Sequence, residues 1–188
     1  MEGLKTQNIL RDLSSERLET ERLTLLPVSM EYAPLLLAEL TDEITRYLSF
    51  FTPQSIDEEV SFINQSREKM RMGTDLALVI LDNKSKEFLG IVGVHNLDTR
   101  SPEFGIWVKK SAHGKKIGRE AVAGVYTWAV NNPEFDYFIY PAHKDNIPSR
   151  KIAESLGGVV VSSGKKVFPT GKEFDEVVYH IPRERSPK

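Results

Sequence analysis

The residue types that could do chemistry are concentrated in one short cationic segment, SAHGKKIGREAV, at positions 111–122. Two glycines and three basic side chains precede an apolar pattern with helical spacing. Backbone amides at a helix N-terminus are unpaired, and the helix dipole adds roughly half a positive charge there, so such a turn can bind phosphate. A solvated basic surface turn is the alternative, and the segment by itself leaves both interpretations open.

Two other phosphate-binding patterns are absent from the sequence. There is no G-x-x-x-x-G-K-[ST] motif, which argues against a P-loop NTPase. There is no G-x-G-x-x-G either, and the segment lies in mid-chain, which argues against a dinucleotide-binding domain.

Composition narrows the classes of function. The chain has 188 residues, of which 40% are hydrophobic and 28% charged, as expected for one globular domain. A net charge of −2 gives no overall attraction to nucleic acid, so no nucleic-acid partner is predicted. The absence of cysteine excludes thiol nucleophiles and thiolate metal sites, and it fits a cytoplasmic protein. No metal site is predicted. No membrane partner is predicted either, because no apolar run approaches the roughly 20 residues of a membrane span.

Hydrophobic periodicity predicts the elements that must position the cationic turn. They are, in order, a strand at 22–28, helices at 30–40, 44–53 and 55–73, a hairpin at 75–97, a strand at 101–110, a helix at 117–130 stopped by Pro133, a strand at 135–142, a helix at 145–158 and two closing strands. A strand, a helix and a further strand across 103–140 form a β-α-β crossover with parallel strands. We therefore predict an α+β fold with a mixed, mostly antiparallel seven-stranded sheet, a central parallel crossover and helices on both faces.

A set of ordered motifs resembles the GCN5-related N-acetyltransferase (GNAT) superfamily, in its RimJ/RimL-like branch of ribosomal-protein acetyltransferases. They are LETERLTLLPV at 18–28, PEFGIW at 102–107, the cationic turn, NIPSRKIAESLGG at 146–158 and GKEFDEVVYHI from 171. The resemblance implies the GNAT fold as a single domain at 19–183, between a polar lead-in at 1–18 and a tail at 184–188. It also implies acetyl-CoA as co-substrate and an amine as acceptor.

The turn departs from the superfamily pattern Q/R-x-x-G-x-G/A. His113 stands where Gln or Arg is usual, Lys116 replaces the middle glycine, and Gly118 fits. Gly114 is common in the branch. The resemblance implies that coenzyme is bound by the turn, by two splayed strands at 106–108 and 138–140, and by the next helix. The predicted contacts are Ile106, Trp107, Val108, His113, Gly114, Lys115, Lys116, Ile117, Gly118, Arg119, Asn146 and Ser149, with an amide near Trp107 or Val108 as oxyanion donor.

Two protons must move when an amine attacks a thioester. By resemblance Ser149 is the partner of the leaving thiolate, although a serine in a first helical turn also bonds locally. Asn146 is either a coenzyme contact or a helix N-cap. Glu103 leads as general base, and His95, His143 and water remain alternatives.

The acceptor pocket is predicted between the N-terminal helices, the loop at 50–53 and the late hairpin turn at 168–172. Tyr47, Phe50, Phe51 and His95 are its predicted substrate contacts. The nearby acids Glu43, Asp57 and Glu58 are more typical of a solvated helix face.

The sequence therefore predicts an N-acetyltransferase that transfers the acetyl group of acetyl-CoA to a primary amine by direct attack in a ternary complex. The acceptor is a protein N-terminus or a small amine, and the chain is a monomer or a homodimer. An acyltransferase that uses another acyl-CoA and a non-catalytic CoA-binding or regulatory module remain open.

Overall fold

The structure is a computed structural model that describes residues 11–131 and 134–183. One eight-stranded sheet runs through it in the order β1-β2-β3-β4-β5-β6-β8-β7. The strands are β1 (Leu18–Glu19), β2 (Leu23–Pro27), β3 (Leu76–Asp82), β4 (Phe88–His95), β5 (Glu103–Val108), β6 (Tyr137–His143), β7 (Val159–Val167) and β8 (Glu173–Pro182). The helices are α1 (Ala33–Glu39), α2 (Asp42–Thr45), α3 (Ile56–Met72), α4 (Ile117–Ala129) and α5 (Ile147–Ser155), with 3-10 turns at Met30–Tyr32 and Lys110–Ala112.

The predicted α+β class is confirmed, with β5 and β6 as the parallel pair and all other neighbours antiparallel. The prediction of seven strands is wrong, because the structure has eight. The additional strand is β1, where Leu18 pairs with Leu25. Its two residues are too few to show the alternation by which a strand is recognised from sequence.

Parts of three predictions lie outside the described residues: positions 1–10 of the lead-in, the tail at 184–188, and Pro133. In the described part of the lead-in, Leu13 is buried and its amide donates to the carbonyl of Met70 at 2.9 Å. Within 11–131 and 134–183, no helix is both long and apolar enough to cross a membrane.

Helices cover both faces of the sheet. On one face α4 packs against β4 and β5 through an apolar stripe of Ile117, Ala121, Val122, Val125, Tyr126 and Ala129, all buried. Trp128 is partly buried at the margin of this stripe, and its indole N–H donates to Glu16 at 3.2 Å. On the other face α3 packs against α1 and β3. The layers leave β5 and β6 at the centre of the sheet.

The first turn of α4 is tied to the β1–β2 edge by one carboxylate. Glu120 accepts hydrogen bonds from the Thr20 hydroxyl at 2.6 Å, the Arg22 amide at 2.8 Å and the Arg22 Nε at 2.6 Å. Partial burial opposes ionisation, but these bonds outweigh it and lower the pKa of Glu120. The tie fixes the position of the helix N-terminus that follows the cationic turn.

Glu120→Ala should destabilise the fold by about 1–3 kcal/mol, the usual value for hydrogen bonds to a charged group. Since the pKa of Glu120 is lowered in the folded state, its contribution is present above its ordinary pKa and is lost as pH falls through the lowered value. Urea unfolding of both proteins across acidic pH tests this, with the exposed Glu21→Ala as control. Equal stability of Glu120→Ala and Glu21→Ala at neutral pH would contradict it.

Candidate active site

The central feature of the site is a gap between the two parallel strands. β5 and β6 share a single residue pair, Glu103 with Ile139, where the Ile139 amide donates to the Pro102 carbonyl at 2.9 Å. Beyond this pair β5 and β6 have no further register partners, although β5 stays paired with β4 and β6 stays paired with β8. The splaying predicted at 106–108 is therefore present, and on β6 it begins after Ile139.

A proline ends the parallel ladder. Alternate residues of a strand face the same neighbour, so the next β6 amide directed at β5 after Ile139 would belong to residue 141. That residue is Pro141, which has no N–H to donate. The ladder stops where its next bond would have formed.

The gap exposes backbone donors of β5. Lys109 donates to the Leu89 carbonyl at 2.8 Å, and Trp107 is the register partner of Ile91. Odd-numbered residues of β5 thus bond to β4, and the amides of Ile106 and Val108 face the gap. Of the two amides predicted as oxyanion donors, that of Val108 is available, whereas that of Trp107 is directed at β4.

The cationic turn lies at the open end of the gap. Gly114 has φ 75° and Lys116 has φ 62°, a left-handed conformation that is unusual for a residue with a Cβ. Lys116 is also the N-cap residue of α4, and no side chain of a described residue caps the helix there. The first amides of α4 are therefore free to bind an anion, beside the exposed side chains of Lys115 and Arg119.

Two contacts hold the turn against the gap. The Nε2 of His113 lies 2.7 Å from the Val108 carbonyl. A Cβ on Gly118 would lie 3.3–3.5 Å from side-chain atoms of Ile152, Val108 and Ile106, so the glycine lets α4 approach β5 closely. The helix N-terminus and the exposed strand amides consequently belong to one continuous surface.

A single cavity of about 660 Å³ opens on the gap and continues to the opposite face of the sheet. It brings together nine of the predicted site residues: Tyr47, Phe50, Phe51, His95, Glu103, Ile106, Trp107, Asn146 and Ser149. The other predicted residues lie outside the cavity wall, at the end of β5, in the turn and at the start of α4. They are Val108, His113, Gly114, Lys115, Lys116, Ile117, Gly118 and Arg119. The turn at the start of α4, which can bind an anion, is therefore separate from the cavity.

A pair of hydroxyls lies on the α5 side of the cavity. The Ser149 Oγ is 3.0 Å from the Tyr140 hydroxyl, so the serine bonds to β6 rather than to its own helix. Burial raises the pKa of Tyr140 to about 12 and keeps the phenol neutral. Asn146 caps α5, since its side-chain oxygen accepts from the Ser149 amide at 3.2 Å. This is the helix N-cap, one of the two roles predicted for Asn146. The pair can donate a proton or a hydrogen bond into the gap.

An imidazole forms part of the cavity floor. The Nδ1 of His95 lies 2.8 Å from the Asp75 carboxylate. Burial opposes ionisation of Asp75, but its bond and charge interaction with His95 outweigh this and lower its pKa. An ionised Asp75 only accepts, which assigns the proton to Nδ1 and leaves Nε2 as an acceptor in neutral His95. Gly93 and Gly105 are cross-strand partners beneath the ring, and a Cβ on Gly105 would lie 3.0 Å from Nε2.

Glu103 is the cross-strand partner of His95 and lies at the mouth of the gap. No described residue forms a hydrogen bond to its carboxyl. Burial raises the pKa of Glu103, while the charges of Lys166 and His95 lower it and that of Glu176 raises it. The net shift is upward, toward neutral pH. The remaining candidate, His143, lies off the cavity wall, and its Nδ1 accepts from the Asp145 amide at 3.1 Å.

The late hairpin turn at 168–172 forms hydrogen bonds to the segment at 45–50, which leads into the predicted acceptor loop. Lys172 donates from Nζ to the carbonyls of Thr45 at 2.5 Å and Phe50 at 2.9 Å, and lies 5.6 Å from the centre of the Phe51 ring. Thr170 donates to the Ser49 carbonyl at 3.0 Å. Loop and hairpin together form the wall opposite the coenzyme side.

Sequence reasoning did not identify three residues of this site: Asp75, Tyr140 and Pro141. Pro141 had a visible signal, since a proline inside an apolar strand pattern marks a missing ladder bond. The other two depend on contacts across the fold, which spacing along the chain does not show.

Comparison with known proteins agrees with this geometry. Residues 22–159 match the family model described as the acetyltransferase (GNAT) domain. An N-acetyltransferase 9-like protein of Caenorhabditis briggsae is 29% identical over 133 residues, which are 69% of this chain and 60% of that protein. The match thus spans less than two thirds of that relative.

Two solved structures share the fold. The Salmonella typhimurium acetyltransferase that modifies the N-terminal serine of ribosomal protein L7/L12 has a TM-score of 0.75 at 16% identity, covering 89% of this chain and 99% of that one. The microcin C7 self-immunity acetyltransferase MccE, solved with acetyl-CoA and AMP, has a TM-score of 0.75 at 22% identity, covering 87% of this chain and 93% of that one.

The family match covers the splayed strands, the cationic turn and the Ser149 helix in the order that the sequence motifs gave. This chain belongs to the GNAT acetyltransferase family.

Proposed function

We propose that this chain transfers an acetyl group from acetyl-CoA to a primary amine, by direct attack of the amine on the thioester. The observation that carries the proposal is the gap between β5 and β6, with the Ile106 and Val108 amides facing it. These amides have no strand partner, so they are free to donate hydrogen bonds to a ligand in the gap. An extended amide-bearing chain such as pantetheine supplies those partners.

The coenzyme side fits the groups present. The uncapped N-terminus of α4, with Lys115, Lys116 and Arg119 beside it, suits a pyrophosphate. The Val108 amide is suited to stabilise the oxyanion that forms at the thioester carbonyl, and one such donor contributes about 3 kcal/mol to barrier lowering. In our proposal the bonded Ser149–Tyr140 hydroxyl pair protonates the leaving thiolate.

The acceptor side supplies the base. As the new N–C bond forms and the C–S bond breaks, the amine must lose a proton, and an ammonium must first become a free amine. Glu103, whose pKa burial raises, takes this proton in our proposal. His95, held by Asp75 with Nε2 free, is the alternative acceptor one strand away.

Ser149→Ala should lower kcat for acetyl transfer by about 100-fold, the lower range for loss of a positioned proton donor, with little change in KM for acetyl-CoA. Thiol release from acetyl-CoA with a mixed amine panel measures this. The control is Ser155→Ala on the same helix, since the Ser155 hydroxyl only bonds locally to Ile152.

The same panel separates the alternatives for the function. Faster thiol release with succinyl-CoA than with acetyl-CoA would indicate a different acyl donor. Saturable CoA binding without turnover for any amine would contradict the enzyme and favour a binding or regulatory module.

Glu103→Gln should lower kcat/KM by about 100-fold and remove the acidic limb of its pH profile. A general base acts when ionised, so wild-type activity should fall as pH drops through the raised pKa of Glu103. Profiles of Glu103→Gln and His95→Gln are to be compared with one acceptor. An unchanged profile in Glu103→Gln together with a lost limb in His95→Gln would assign the base to His95 instead.

A further inference from the structure

Glu59 is a buried acid in the cavity wall for which the acetyl-transfer steps above give no role. It lies in the first turn of α3, with 4% of its surface exposed, and lines the cavity. Asp75 and Glu176 are also buried, and both have partners: Asp75 bonds to His95, and Glu176 pairs with Lys166 at 2.8 Å. Among the described residues, none lies within hydrogen-bond or ion-pair range of the Glu59 carboxyl.

The Glu59 oxygens keep some exposure. Within the described residues, every side-chain nitrogen or oxygen that is wholly removed from solvent has a hydrogen-bond partner. The Glu59 oxygens have no partner, so they are not wholly removed, and the small exposed fraction of the residue includes them. Since Glu59 also lines the cavity, a cation inside the cavity is the kind of partner that this carboxyl could take.

The charged neighbour that acts on Glu59 is another acid, Glu58, which also lines the cavity. Glu58 is used by the helix start, where its carboxylate accepts from the Gln54 amide at 3.1 Å. Glu43 pairs with Lys110 away from the cavity. Burial, and then the charge of Glu58, raises the pKa of Glu59 to about 7. A cation placed here would reverse that shift, because an opposite charge favours the ionised carboxylate.

Glu59 and the reacting groups lie on different walls. Glu103 and His95 project from β5 and β4, whereas Glu59 projects from α3, which packs on β3. Neighbouring strands are about 4.8 Å apart, so β3 and β5 are separated by a distance on the order of 10 Å. This difference in origin favours a second group of the acceptor at Glu59, distinct from the amine at the gap.

We propose that Glu59 binds a second cationic group on the acceptor, so that this enzyme prefers amines carrying a further ammonium or guanidinium several atoms from the one acetylated. This inference rests on the proposed acetyl transfer. Diamines and peptides with a basic residue near the N-terminus share the required chemistry.

Glu59→Gln should reduce kcat/KM for diaminoalkanes by about tenfold or more, the range for losing a charge-assisted hydrogen bond. The series from diaminobutane to diaminooctane is compared with monoamines of equal length, for which the variant should match the wild type. Asp57→Asn, an exposed acid in the same helical turn, is the charge-matched control and should leave both classes unchanged. Equal effects of Glu59→Gln on diamines and monoamines would overturn the subsite.

A second arm distinguishes the two sources of the cation. Short peptides that differ only by Lys or Ala at the second position are assayed beside the diamines. A Glu59-dependent preference for the Lys peptide alone assigns the subsite to peptide acceptors, and one for diamines alone to small polyamines. No Glu59-dependent preference in either series contradicts the proposal.

Binding separates failure of the subsite from failure of acetyl transfer. Calorimetry of diaminohexane with CoA-saturated protein should show weaker binding to Glu59→Gln than to wild type. If no amine is acetylated but this difference persists, the cation site stands and the proposed reaction fails. If diaminohexane binds both proteins equally, the cation site fails. The melting temperature of Glu59→Gln should not fall, because the substitution removes an unpartnered buried carboxyl, and this checks folding.

Discussion

The parallel ladder between β5 and β6 ends after one residue pair, and the rest of the site depends on that interruption. Glu103 and Ile139 hold the strands together, and Pro141 removes the next amide that could continue the ladder. Both strands remain in the sheet because β4 and β8 still pair with their outer edges. A sheet can therefore contain an opening at its centre without losing its order.

This opening sets where each kind of chemistry can occur. On one side α4 and α5 bring an uncapped helix N-terminus and the Ser149–Tyr140 pair to the gap. On the other side β4 and β5 present His95 and Glu103 beneath a cavity closed by α3 and the late hairpin. In the proposed reaction donor and acceptor meet at the gap, which favours direct transfer between two bound substrates.

Sequence patterns predicted the features that are local in the chain. The α4 stripe follows from periodicity, the Asn146 cap was one of two alternatives that residue type offered, and the ordered motifs predicted the splayed strands. Other features depend on long-range contacts. His95 was recognised as titratable, but its partner Asp75 is 20 positions away and meets it only across β3 and β4. Glu59 follows Glu58 in sequence, and only the packing of α3 buries Glu59 while Glu58 stays exposed.

Hydrogen exchange at single amides of β5 tests the central claim most directly. In the free protein the amides of Ile106 and Val108 should exchange much faster than those of Gly105 and Trp107, which are directed at β4. Saturating CoA should slow Ile106 and Val108 selectively. Slow exchange of all four amides before CoA is added, or no protection of Ile106 and Val108 afterwards, would show that the strands do not form an open coenzyme gap.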